Sequence, residues 1–116
     1  MDDSQILIPR SFIDLYIPVG AARPRLPRAD ISALYELCED LAQSLTETAN
    51  DKRFELGVDE TTVLERVHAG LLTAPATVSA DEATWVVRRL AELLDWPLPA
   101  ALALPAPDPG RDRRRP

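Results

Sequence analysis

Residues 29–49, ADISALYELCEDLAQSLTETA, decide the fold. Ile31, Leu34, Tyr35, Cys38, Leu41, Ala42, Leu45 and Ala49 recur at steps of three and four, which lays one apolar stripe along an α-helix. Glu36, Glu39, Asp40, Gln43 and Glu47 fall between them, on the faces turned to water. Asp30 stands where a side chain can cap the start. Asn50-Asp51 either end this helix or weaken it, and Phe54, Leu56 and Val58 around Gly57 supply apolar anchors where the chain turns.

Downstream, Asp59 before Glu60-Thr61-Thr62 reads as a cap and first turn, with acid at the positive end of the helix dipole. Val63, Leu64, Val67 and Leu71 continue as a buried stripe, which predicts a second helix over about 59–70. Gly70 is a common kind of stop, although Leu71 and Leu72 can add part of a turn. Thr73 to Val78, with Pro75, is a loop. Ser79-Ala80-Asp81-Glu82 is a full capping box and opens a third helix over about 80–95. There Trp85, Val86, Leu90, Leu93 and Leu94 share one face, Val87 and Ala91 lie at its edge, and Arg88, Arg89 and Glu92 point away. Pro97 ends it.

Upstream, Ser11-Phe12-Ile13-Asp14 resembles a capping signal, so that Phe12, Leu15 and Tyr16 would line one side of a short helix. Ile6, Ile8 and the flanking prolines suit an extended arm equally well. Arg23-Pro24-Arg25-Leu26-Pro27 is an extended linker in either case. The expected architecture is all-α: a small bundle of three principal helices, an N-terminal arm and linker (1–28), a bundle domain (29–98) and a disordered Pro/Arg-rich tail (99–116).

Charge is unevenly distributed along the 116 residues, whose net charge is −6. Residues 29–96 carry fourteen acidic groups against five basic ones, whereas the flanks are mildly basic, the second through Arg111, Arg113, Arg114 and Arg115. An acidic body opposes loose binding to phosphate backbones, which rewards a face of Lys and Arg. Most of its acid lies on outer helix faces and reads as solvated surface.

Several chemistries lack their residues. Cys38 is the single cysteine, so neither an internal disulfide nor a thiolate metal cluster can form within one chain. His68 is the single histidine, which leaves no two-imidazole metal centre and no Ser-His-acid triad to build on. Gly20, Gly57, Gly70 and Gly110 are scattered and the only lysine, Lys52, follows no glycine, which excludes a phosphate-binding loop. Adjacent acids such as Glu39-Asp40 and Asp59-Glu60 diverge around a helix axis and are read as solvated. No cofactor, metal or catalytic residue is expected. No secretory signal or membrane-length apolar run is present, which points to the cytoplasm.

What remains is contact. The arm gathers Phe12, Leu15 and Tyr16 outside the main bundle, and Trp85 and Trp96 mark the third helix and its end. These five are the candidate partner-binding residues, set against the blander expectation that the arm completes the chain's own core.

Three segments carry a family resemblance: Ile8-Pro9-Arg10-Ser11-Phe12-Ile13-Asp14-Leu15-Tyr16, Tyr35-Glu36-Leu37-Cys38-Glu39-Asp40-Leu41-Ala42 and Trp85-Val86-Val87-Arg88-Arg89-Leu90-Ala91-Glu92-Leu93-Leu94. Together they resemble a group of short beta-proteobacterial proteins described as ATPases with chaperone activity. The resemblance implies a bacterial cytosolic origin. It brings no site residue, and the absent nucleotide loop speaks against the ATPase description. The expected function is a non-enzymatic protein–protein interaction module, an adaptor or regulatory subunit binding another protein or a second copy of itself. The competing expectation is a nucleic-acid-associated regulator whose second and third helices form a helix-turn-helix-like pair, although the 71–79 linker is long for that motif.

Overall fold

The computed structural model describes residues 7–73 and 77–102. In chain order it comprises α1 (Arg10–Ile13), a 3-10 turn (Asp14–Tyr16), α2 (Arg28–Leu56), α3 (Glu60–Leu72), α4 (Ala80–Leu94) and a second 3-10 turn (Ala100–Leu102). The described residues contain no strand, and they form the small all-α bundle that the apolar stripes predict.

The helix ends show which local signals prevail. Pro27, not Asp30, occupies the N-cap of α2, and Asp30 sits in the first turn with its own N–H donating to the Pro27 carbonyl at 3.0 Å. Proline's fixed φ presets that entry, and a first-turn acid still meets the positive end of the dipole. α2 runs on past Asn50 and Asp51 to Leu56. Each of those residues weakens a helix by less than about 1 kcal/mol, too little to end it, and α2 continues as an exposed stretch in which Phe54 stays in solvent and only Val58, past the turn, packs on the bundle. The stop is Gly57, in the left-handed region at φ 65°, with its N–H donating to the Arg53 carbonyl at 3.1 Å.

Asp59 caps α3 by accepting from the Thr62 N–H at 2.9 Å. Gly70 does not end that helix. It continues to Leu72, carried by the half-buried Leu71 and closed by Thr73, whose hydroxyl donates to the Ala69 carbonyl at 2.9 Å. At α4 both halves of the predicted capping box are made: the Ser79 hydroxyl accepts from the Glu82 N–H, and the Glu82 carboxylate accepts from the Ser79 N–H. The helix ends at Asp95, at φ 58°, where the Trp96 N–H reaches back to the Ala91 carbonyl at 2.9 Å in a Schellman closure just before Pro97.

Two apolar clusters form the interior, and α2 and α4 run through both. The first gathers Phe12, Tyr16, Ile31, Cys38, Ala42, Trp85 and Val86, and the second Ala49, Val63, Leu64, Val87, Leu90 and Leu102. Leu45 and Leu71 pack against both. The N-terminal arm therefore lies on the bundle and supplies part of its core. The chain stays packed through Leu102, which is buried. The expected disordered tail lies, from residue 103 onward, outside the described residues.

Candidate functional site

Of the five residues read as partner contacts, three belong to the core. The Phe12 ring is fully buried and meets three aromatic rings edge-on, Tyr16 at 5.4 Å, Tyr35 at 5.6 Å and Trp85 at 5.0 Å between centroids. The Tyr16 hydroxyl donates to Glu82 Oε2 at 2.5 Å, and the Arg25 guanidinium lies 5.3 Å from the Tyr16 ring centre. Trp85 Nε1–H donates to Ser11 Oγ at 3.0 Å. Spacing alone left these rings free to face a partner. What removes Phe12, Tyr16 and Trp85 from that role is their mutual burial, an aromatic cluster that only the folded arm can assemble. Leu15 and Trp96 are half-buried and pack on the edges of the first and second clusters respectively.

Burial also defines the chemistry of two acidic protons here. Desolvation, then the hydrogen bond to Glu82, holds the Tyr16 phenol far above its ordinary range. Burial, then the nearby Glu82 charge, pushes the Cys38 thiol up to about 12, so Cys38 is a protonated, fully enclosed side chain at neutral pH. Neither group is offered to solvent as a nucleophile.

Arg89 does not point away as the face assignment predicts. Its guanidinium crosses to α2, where Nε and Nη2 donate to the Glu39 carboxylate at 2.9 and 3.1 Å, while Nη1 donates to Glu92 at 3.1 Å. Glu39, read from sequence as solvated, is thus the α2 end of a two-pronged ion pair that clamps α4. The Arg89 hydrogen bonds hold the Glu39 carboxyl below its usual range. A depressed carboxylate contributes stability that is present above the unfolded pKa, near 4.3, and lost as pH falls through the folded value. Glu39→Gln is therefore expected to lower stability by about 1–2 kcal/mol at pH 7, between exposed and buried pairs. The gap to the parent protein should close as pH drops from 5 towards 3, as urea unfolding across that range will show.

His68 is half-buried and its Nε2 lies 3.1 Å from Thr84 Oγ1, which links α3 to α4. No group of acidic, histidine or cysteine side chains among the described residues is arranged to hold a metal ion. No helix among them is long and apolar enough to cross a membrane.

The most developed contact surface is one the sequence did not single out, an open groove of about 550 Å³ between the C-terminal half of α2 and α3. Its walls are Leu45, Leu56, Val63, Val67 and Leu71, and Gly70 lies along its edge. Only two charged residues line it, Lys52 and Arg66, and both are cations on an acidic chain. Lys52 meets Glu55 loosely at 4.0 Å, and Arg66 has no ion-pair partner among the described residues. Beside the groove Leu56 and Leu72 are substantially exposed. Compared with protein-family models, curated proteins and solved structures, the chain matches none.

Proposed function

We propose that the protein is a non-enzymatic interaction module whose α2–α3 groove seats an acidic amphipathic helix of another protein. The observation that carries this reading is the pairing of an apolar trough with Lys52 and Arg66 as its only charged lining. Helix-in-groove recognition uses apolar anchors at i, i+3, i+4 and i+7, and cations beside the trough suit a helix with Asp or Glu flanking those anchors. A second copy of this chain is a poorer fit, because two grooves facing one another would oppose Lys52 and Arg66 to like charges. Duplex DNA is poorer still, since Arg89 is engaged by Glu39 and Glu92.

Gly70 supports the same reading. It sits inside α3 at an ordinary helical conformation, and a Cβ placed there would meet nothing within 4 Å, so no packing within the chain requires glycine. A helix-interior glycine costs about 0.5–1 kcal/mol relative to alanine, and its return here is an unobstructed groove edge. Gly70→Ala is expected to raise unfolding stability by that amount in urea while weakening groove binding, a stability–function trade-off read in two assays on one variant.

The reading is tested by selecting helical peptides from a random display library against the full chain. Enriched sequences should carry an apolar stripe flanked by Asp and Glu, and their binding should fall at least tenfold in Val67→Asp and in the Lys52→Glu/Arg66→Glu double variant. Peptides without the acidic flanks, or affinities indifferent to these variants, would rule it out.

A further inference from the structure

We propose a second, separate site: the pocket between the arm, α2 and α4 binds a small carboxylate anion through Arg88. This pocket, of about 260 Å³, is lined by Ser11, Tyr35, Trp85, Arg88, Arg89 and Glu92, together with Pro9. Arg88 Nε is the one buried side-chain polar atom without a hydrogen-bond partner among the described residues. A buried donor on a charged group is costly to leave unpaired, and the surrounding fold satisfies its other buried polar groups with care. Nε itself is closed off, so an oxyanion in the pocket meets the guanidinium at Nη1 and Nη2, which are accessible and make no hydrogen bond among the described residues.

The other lining groups converge on the same ligand chemistry. Ser11 Oγ already accepts from Trp85 Nε1–H, which leaves its own hydroxyl proton to donate. The Tyr35 hydroxyl makes no hydrogen bond among the described residues, and burial raises its pKa, so it remains an O–H donor at neutral pH. Charge then selects the ligand. Arg89 is paired with Glu39 and Glu92, so Arg88 is the lining cation without an ion pair of its own among the described residues. One negative charge satisfies it, whereas a dianion meets the Glu92 carboxylate on the wall. A carboxylate also fits the planar donor fork of a guanidinium.

The Trp85 indole N–H reports on this pocket because Ser11 is its acceptor. The experiment follows that signal by proton–nitrogen correlation NMR while sodium benzoate or sodium acetate is added at constant ionic strength, with chloride and inorganic phosphate as comparisons. The indole signals are assigned with Trp96→Phe. The expected result is a saturating shift with a carboxylate, at least tenfold weaker with phosphate, absent with chloride, and weakened at least tenfold in Arg88→Gln. Arg88→Lys, which keeps the charge and loses the fork, should be weakened similarly. Arg53→Gln, a cation removed elsewhere, should titrate as the parent does. A non-saturating drift shared with chloride, or saturation unchanged in the Arg88 variants, overturns the proposal. If either Arg88 variant unfolds by circular dichroism, the other variant and the parent titration decide.

Discussion

Phe12→Ala is expected to destabilise the protein by about 3–5 kcal/mol, the range for truncating a fully buried phenylalanine. The value should fall towards the upper end, because Phe12 is the ring that Tyr16, Tyr35 and Trp85 share as a neighbour. Its removal opens a cavity bordered by rigid rings that cannot close over it. Small domains hold only about 5–15 kcal/mol in total, so the variant should unfold at much lower urea concentration. The near-ultraviolet circular dichroism of Trp85 should weaken with it. A loss under about 1 kcal/mol would mean that the arm is not docked in solution.

The second large effect is expected from Glu82→Ala, at about 2–4 kcal/mol. Its two oxygens serve different elements: Oε1 accepts from the Ser79 N–H and closes the capping box, and Oε2 accepts from the buried Tyr16 hydroxyl. Losing the cap costs about 1 kcal/mol, and leaving a buried hydroxyl without a partner costs about 1–3 kcal/mol more. Combining Glu82→Ala with Tyr16→Phe should be markedly less harmful than the sum of the two, since the second change removes the orphaned hydroxyl. Strict additivity in chemical denaturation would show that the two side chains do not meet.

The sequence spoke clearly wherever structure is set by neighbours a few positions apart. The stripe from Ile31 to Ala49, the Ser79–Glu82 box, the Asp59 cap and the Gly57 turn are all relations within one turn of chain, and all are present. Asn50 and Asp51 weaken a helix locally, yet α2 runs on through exposed residues to Leu56 and stops only at the left-handed Gly57. Elsewhere, where the sequence misled, a longer-range term prevailed. Arg89 lies off the apolar stripe of its own helix, but that stripe says nothing about Glu39 on a neighbouring one. The arm was ambiguous between helix and strand because its apolar residues satisfy both spacings. Phe12 is decided by Trp85, far along the chain. The groove was illegible for the same reason: Leu45 and Val67 are stripe residues on different helices, and only the packing angle between those helices leaves a trough between them. Gly70 was legible as a common stop that Leu71 and Leu72 could still extend, as they do, but its place beside the groove was not.

The latch between arm and α4 joins the earliest part of the described chain to nearly the latest. Ser11 and Trp85 are 74 positions apart, and Tyr16 and Glu82 are 66 apart. During synthesis, at roughly 5–20 residues per second, Phe12 and Tyr16 therefore wait several seconds before the residues that cover them exist. Until then the aromatic groups that complete the interior are sticky ends of a nascent polypeptide. Loop closure over such a distance also places docking of the arm late in folding, after the local pairing of α3 with α4. For a chain of this size, the exposure of these residues to misassembly is greatest on the ribosome, and it ends when α4 arrives.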